Sequence, residues 1–175
     1  MGGSFYESLL GKGTQLTKGE YISLAIAIAI PIGQSLISTL FGGADEWYTK
    51  LKKPWFTPPN WAFPVVWMTL FTLMGIASWR IWLQGGFAAQ ACPLGLYAFQ
   101  LVLNFFWSPI FFGLHLMGWA LLEISILWGS VVACIVAFYK VDPIAGYLLV
   151  PYIMWLSLAS LLNYSIWAEN SLKVD

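Results

Sequence analysis

The sequence predicts an all-α integral membrane bundle of five transmembrane helices, and three observations carry that prediction. Of its 175 residues, 59% are hydrophobic and only 9% charged, whereas soluble domains run at about 45–50% apolar and about 25% charged. The apolar residues gather into five runs, each close to the roughly 20 residues that a helix needs to cross a hydrocarbon core of about 30 Å. The links between the last four runs are too short to hold a folded unit, so nearly the whole chain is membrane-embedded and successive helices are antiparallel.

Residues 1–19 are polar and Gly-rich with no apolar core, and are expected to form a flexible leader rather than a cleaved secretory signal. Residues 20–170 then make one five-helix membrane domain, and 171–175 a short tail. The first span runs from Tyr21 to Phe41. Pro31 in its middle cannot donate to the carbonyl one turn earlier, which predicts a kink, and Gln34, Ser38 and Thr39 follow it. Residues 42–60 are the long connection. They carry Gly42, Gly43, Asp45, Glu46, three lysines and the breakers Pro54, Pro58 and Pro59, which predicts an ordered loop outside the membrane. The remaining spans are 61–83, 93–112, 118–138 and 145–167, divided by Gln84-Gly85-Gly86, by Gly113 to Met117 and by Lys140-Val141-Asp142-Pro143. Five spans put the termini on opposite sides, so the balance of Lys and Arg should orient the chain. The balance is even: Lys12, Lys18, Arg80 and Lys140 fall on one side, Lys50, Lys52, Lys53 and Lys173 on the other.

Charge narrows the function. The net charge is zero and no basic cluster follows a span, so the expected partner is the lipid bilayer itself, not nucleic acid or an acidic headgroup. An ionisable side chain at membrane depth is a functional candidate by default. On this reading only Glu123 qualifies, and its place about one turn into the fourth span, within reach of Trp119, suits an interfacial residue better than a catalytic one. His115 sits in a short loop with no His, Cys or carboxylate at ligand spacing, so no metal site is expected, and an axial ligand to haem is the weaker alternative. Cys92 and Cys134 make neither a disulfide framework nor a metal spacing. With no acid–base pair and no nucleophile beside a base, no catalytic residue is assigned. The charged spans or filter loop of a pump or channel are missing too.

Aromatic residues are abundant instead, at 11 Trp, 8 Tyr and 12 Phe. Trp47, Trp79, Trp82 and Trp167 lie near span ends, where an interfacial belt is expected. Trp67, Trp107 and Trp155 do not. In the third span Gln100, Asn104, Trp107 and Phe111 recur at helical spacing; the fourth offers Trp119, Glu123 and Ile126, and the fifth Trp155, Ala159 and Leu162 with Asn163 beside them. Aromatic stripes with a few amide tips suit a pocket for a flat or ring-shaped apolar ligand. Each amide alone reads equally well as glue between helices, an interaction worth about 0.6 kcal/mol on average.

Trp47-Tyr48 followed by Leu51, Lys53-Pro54, Pro58-Pro59 and Trp67 resembles the first-loop signature of the translocator protein family (TspO/MBR, the peripheral-type benzodiazepine receptors). The likeness continues through Pro93-Leu94-Gly95-Leu96-Tyr97, Gln100-Leu101, Leu103-Asn104, Trp107, Pro109 to Gly113, Met117-Gly118-Trp119-Ala120-Leu121, Pro151-Tyr152, Trp155 and Leu162-Asn163-Tyr164. It spans residues 31–170 and is nearest to the animal-like branch. The resemblance implies a five-helix bundle, usually dimeric, that binds porphyrins, sterols and benzodiazepine-type or isoquinoline ligands in a cavity closed by the first loop. Carried over position by position, the ligand-binding residues are Tyr48, Pro58, Trp67, Asn104, Trp107, Trp119, Ile126, Trp155, Ala159 and Leu162.

The implied function is a membrane receptor or carrier in tetrapyrrole or cholesterol transport, with Asn104 orienting the guest. No resident cofactor is expected; porphyrin or haem enters as ligand. The alternative, suggested by some bacterial relatives, is light-dependent porphyrin breakdown using Trp67 and Trp155. A scaffold with an incidental cavity is the third possibility. The sterol motif is degenerate: Leu162 and Tyr164 are present, but Ser165 to Glu169 contain no basic residue and Ala168 stands in its place. The resemblance favours the outer mitochondrial membrane, with the plasma membrane as alternative. It also favours a homodimer, for which Gly95, Ala98 and Val102 supply a narrow face on the third span.

Overall fold

The computed structural model describes residues 16–41 and 46–171. Most of the expected leader, the tail from residue 172, the segment 42–45 and the cations Lys12 and Lys173 lie outside the described residues. Within them all regular structure is helical: α1 Lys18–Phe41, α2 Glu46–Lys50, α3 Ala62–Trp82, α4 Gly86–Ala89, α5 Ala91–Ser108, α6 Met117–Val141, α7 Pro143–Leu148 and α8 Val150–Ser171, with a π-helical turn at Pro109–Gly113. Five helical stretches are long and apolar enough to cross a membrane, and they coincide with the five expected spans.

Local chemistry sets the ends. The first span begins at Lys18 rather than Tyr21 because Thr17 and Glu20 form a reciprocal cap: the Thr17 amide and hydroxyl each donate to Glu20 Oε2 at 2.9 Å, and the Glu20 amide donates to Thr17 Oγ1 at 3.3 Å. Pro143 opens α7 just after Asp142, whose Oδ1 accepts from the Ile144 amide at 2.9 Å. Pro109 cannot donate to the Phe105 carbonyl, and the Ser38 hydroxyl does so instead at 2.7 Å, tying α1 to α5. The chain then widens into the π turn closed by the Leu114 amide on the Pro109 carbonyl.

Helix α1 runs through Pro31 without interruption and packs on α3 at Gly75. A side chain at Gly75 would lie 2.6 Å from Ile28 Cα and 2.8 Å from the Ala27 carbonyl oxygen. Ala27 is the residue whose carbonyl Pro31 leaves free, so both specialised residues serve one close crossing. Helix α5 packs chiefly on α6, α6 on α8, and the short α7 wedges between α3 and α6. The core joins Leu70, Phe71, Met74, Ala77 and Ile81 of α3 to Leu94, Tyr97 and Leu101 of α5, Ile124, Leu127, Val131, Cys134 and Phe138 of α6, and Tyr152 and Leu156 of α8. Ile22, Ile26, Ile30 and Ile37 stay exposed on α1, as lipid-facing residues must.

Two sequence expectations are corrected here. Trp79, assigned to the interfacial belt, is 1% exposed and its Nε1 donates to Ser23 Oγ on α1 at 3.0 Å, because its helical phase turns it toward α1 and not outward. Glu123 is not the only ionisable group taken out of solvent. Arg80, in the last turn of α3, is 7% exposed and Asp142 6%; Arg80 Nε and Nη2 both approach Asp142 Oδ2 at 2.7 Å. The turn between α6 and α7 brings in this aspartate, 62 positions away, and nothing in the spacing announces it.

A candidate ligand cavity inside the bundle

A cavity of about 490 Å³ lies between α1, α3, α5, α6 and α8 beneath the loop that carries α2. Aromatic rings build its wall. Trp67 stacks on Phe71 with centroids 5.2 Å apart and meets Tyr152 edge-on at 6.2 Å. Trp155 meets Phe63 edge-on at 5.7 Å, and Trp107 stacks on Phe111 at 5.2 Å. The amides fix these rings. Asn163 accepts from Trp107 Nε1 at 3.2 Å and donates to the Met117 carbonyl at 2.9 Å. Asn104 accepts from Gln34 Nε2 at 2.9 Å and donates to the Tyr152 hydroxyl at 3.1 Å. Asn104 and Asn163 thus link helices and line the cavity at once, whereas Gln100 is buried away from it.

The first loop lies over one end, the mouth of the cavity. Trp47 stacks on His115 with centroids 3.9 Å apart and meets Phe111 edge-on at 5.9 Å. Tyr48 meets Phe111 and Phe112 edge-on, and its burial pushes the hydroxyl above its ordinary range. Lys53 Nζ lies 4.3 Å over the Tyr48 ring. Asn170 pins the loop to the end of α8, accepting from the Lys52 amide and donating to the Lys52 carbonyl, both at 3.0 Å. His115 takes a left-handed backbone, with φ +56°, to reach Trp47.

Of the ligand-binding residues expected from sequence, Tyr48, Trp67, Asn104, Trp107, Trp155, Ala159 and Leu162 line the cavity. Pro58, Trp119 and Ile126 do not. Trp119 is 66% and Ile126 50% exposed, because the buried stripe of α6 runs through Ala120, Ile124, Leu127 and Val131, one residue or about 100° from the stripe chosen. Trp119 instead borders an outer groove with His115, Gly118 and Trp167. Glu123 stays beside the wall, both carboxylate oxygens shielded and without a hydrogen-bond partner among the described residues. Among the cavity residues that sequence reasoning missed are Phe63, Phe71, Ile124, Leu127, Leu156 and Ile166. They are apolar residues in apolar runs, and only the phase of the buried stripe distinguishes them. No cluster of three or more His, Cys, Asp or Glu at metal-holding distance occurs among the described residues.

Comparison with known proteins converges on the same pattern. The model of the TspO/MBR family matches residues 23–168. The chain belongs to the TspO/MBR family. Its relatives include the translocator protein of Homo sapiens, 47% identical over 131 residues that cover 74% of this chain and 78% of the relative. That of Sus scrofa is 46% identical over 133 residues, 75% and 79% of the two chains. The tryptophan-rich sensory protein of Cereibacter sphaeroides is 43% identical over 126 residues, 72% and 78%. This TspO/MBR chain is therefore an integral membrane protein of a family with members in animals and bacteria. The two residues expected to belong to a degenerate sterol motif face different ways: Leu162 is buried at the cavity, whereas Tyr164 is 55% exposed on another face of α8.

Proposed function

We propose that this TspO/MBR protein is a membrane receptor or carrier that holds porphyrins, sterols and benzodiazepine-type ligands inside its helix bundle, in tetrapyrrole or cholesterol transport. One observation carries the reading: an apolar, aromatic-rich cavity of about 490 Å³ with no charged side chain in its wall among the described residues, within the roughly 300–1,000 Å³ typical of ligand pockets. Trp67, Trp107 and Trp155 supply stacking surface. Asn104 keeps one N–H beyond its bonds to Gln34 and Tyr152, enough to orient a guest. Sterols are the weaker guests, since Ala168 offers no cation beside Tyr164. A homodimer in the outer mitochondrial membrane, with the plasma membrane as alternative, completes the proposal, as the family resemblance implies.

The test is titration of intrinsic Trp fluorescence with protoporphyrin and with a sterol. Trp67→Ala and Trp155→Ala should each weaken porphyrin binding severalfold to about tenfold, since aromatic pairing is worth about 0.5–1.5 kcal/mol beyond burial. Trp82→Phe, at an exposed span end, should leave it unchanged. Ala variants that bind like the parent, alongside a Trp82 change that weakens binding, would place the site elsewhere. A second reading is light-dependent porphyrin breakdown, supported by Trp67 and Trp155 lining one cavity. It requires a new absorbing product on illumination that disappears in the Trp→Phe variants while binding persists.

A further inference from the structure

The geometry points to Lys53 as the group that selects ring-shaped ligands bearing a carboxylate over their neutral counterparts, an inference that rests on the cavity being the ligand site. Among the described residues no charged side chain lines the cavity. Three of its polar side chains already hold partners within the protein: Ser38 Oγ on the Phe105 carbonyl, Asn104 between Gln34 and Tyr152 with one N–H to spare, and Asn163 between Trp107 and Met117. A carboxylate drawn among them would lose its hydration without gaining a cation. The acidic edge of a guest has to stay at the mouth.

At that mouth Tyr48 lines the cavity, and the Lys53 ammonium sits 4.3 Å from the centroid of its ring. Lys53 is half-buried and makes no ion pair with a carboxylate among the described residues. The neighbouring cations are placed differently: Lys50 is exposed and pairs with Glu46 at 3.6 Å one turn back, and Lys52 is exposed. Asn170 clamps the backbone at Lys52, one residue before Lys53, and the Tyr48 ring lies under the Lys53 ammonium. A single half-buried ammonium one aromatic ring away from a charge-free wall suits a guest that is apolar over most of its area and anionic at one edge.

Protoporphyrin and its dimethyl ester differ in charge at that edge. Both are titrated into the purified protein in uncharged detergent at low ionic strength, with quenching of Trp fluorescence as the readout. The acid should bind about tenfold tighter than the ester, as a charge-assisted contact allows. Lys53→Met should abolish that preference without changing ester affinity, Lys53→Arg should retain it, and added salt should narrow the gap in the parent. An acid-to-ester ratio unchanged in Lys53→Met overturns the inference. So does an equal weakening of both ligands, which would make Lys53 a support of the loop alone. Trp155→Ala separates the two levels. If it weakens the ester while Lys53→Met leaves the ratio unchanged, the cavity stands and Lys53 falls; if it leaves the ester unaffected, the cavity itself is not the site.

Discussion

Arg80 closes an apolar run as one of the chain's few cations, yet in the fold it is almost fully enclosed with Asp142. A buried pair of this kind contributes little net stability against apolar residues of equal volume, but breaking it strands a charge. Asp142→Ala should therefore cost about 3–5 kcal/mol, and more than any exposed lysine substitution, read as a lowered thermal midpoint in detergent. The double change to leucine at both positions should cost far less than the two single changes added together. Additive losses would mean that the pair does not act as a unit. Site residues divide in the same way. Trp67, Trp107 and Trp155 stand out in the sequence because a Trp inside a span is hard to explain by an interfacial belt. Trp119 and Ile126 lie in a span with apolar residues on every side, so spacing has no reference face, and only packing shows that the inward phase belongs to Ala120, Ile124 and Leu127.

At the scale of elements, the prolines and one glycine determine how helices meet. Pro31 and Pro109 each free a carbonyl inside a span. Gly75 packs against Ala27, where Pro31 has freed one; the Ser38 hydroxyl occupies the other. The expectation at Pro31 concerned the helix that contains it; the close approach of Gly75 to Ala27 adds a consequence for its neighbour. Gly75→Leu should separate α1 from α3 and destabilise the protein by at least about 1–3 kcal/mol, the usual cost of overpacking. Gly129→Ala, where an added Cβ meets nothing within 4 Å, serves as the control and should be neutral or slightly stabilising. Equal melting of the two variants would show that the α1–α3 crossing tolerates a side chain.

At the scale of the whole molecule, α5 presents Gly95, Ala98 and Val102 on its exposed side, away from the stripe of Gln100, Asn104 and Trp107. The proposed homodimer would use this face, since small residues allow close backbone approach in lipid. The protein should sediment as a dimer in mild detergent, and Ala98→Phe should shift it toward monomer without altering porphyrin affinity, because the cavity lies on the opposite side of α5. A parent protein that is monomeric at every concentration would sink this. The sequence by itself determined the five spans, their antiparallel order and the family, because crossing a bilayer depends on length and apolarity and the loop motifs are contiguous in the chain. Only the tertiary structure decided that Trp79 and Arg80 turn inward, that Asp142 meets Arg80, and that Lys53 lies against the cavity's rim. In lipid an apolar residue is at home on either face of a helix, so the inward face is chosen by packing between residues far apart in the chain, and hydropathy along the chain carries no record of it.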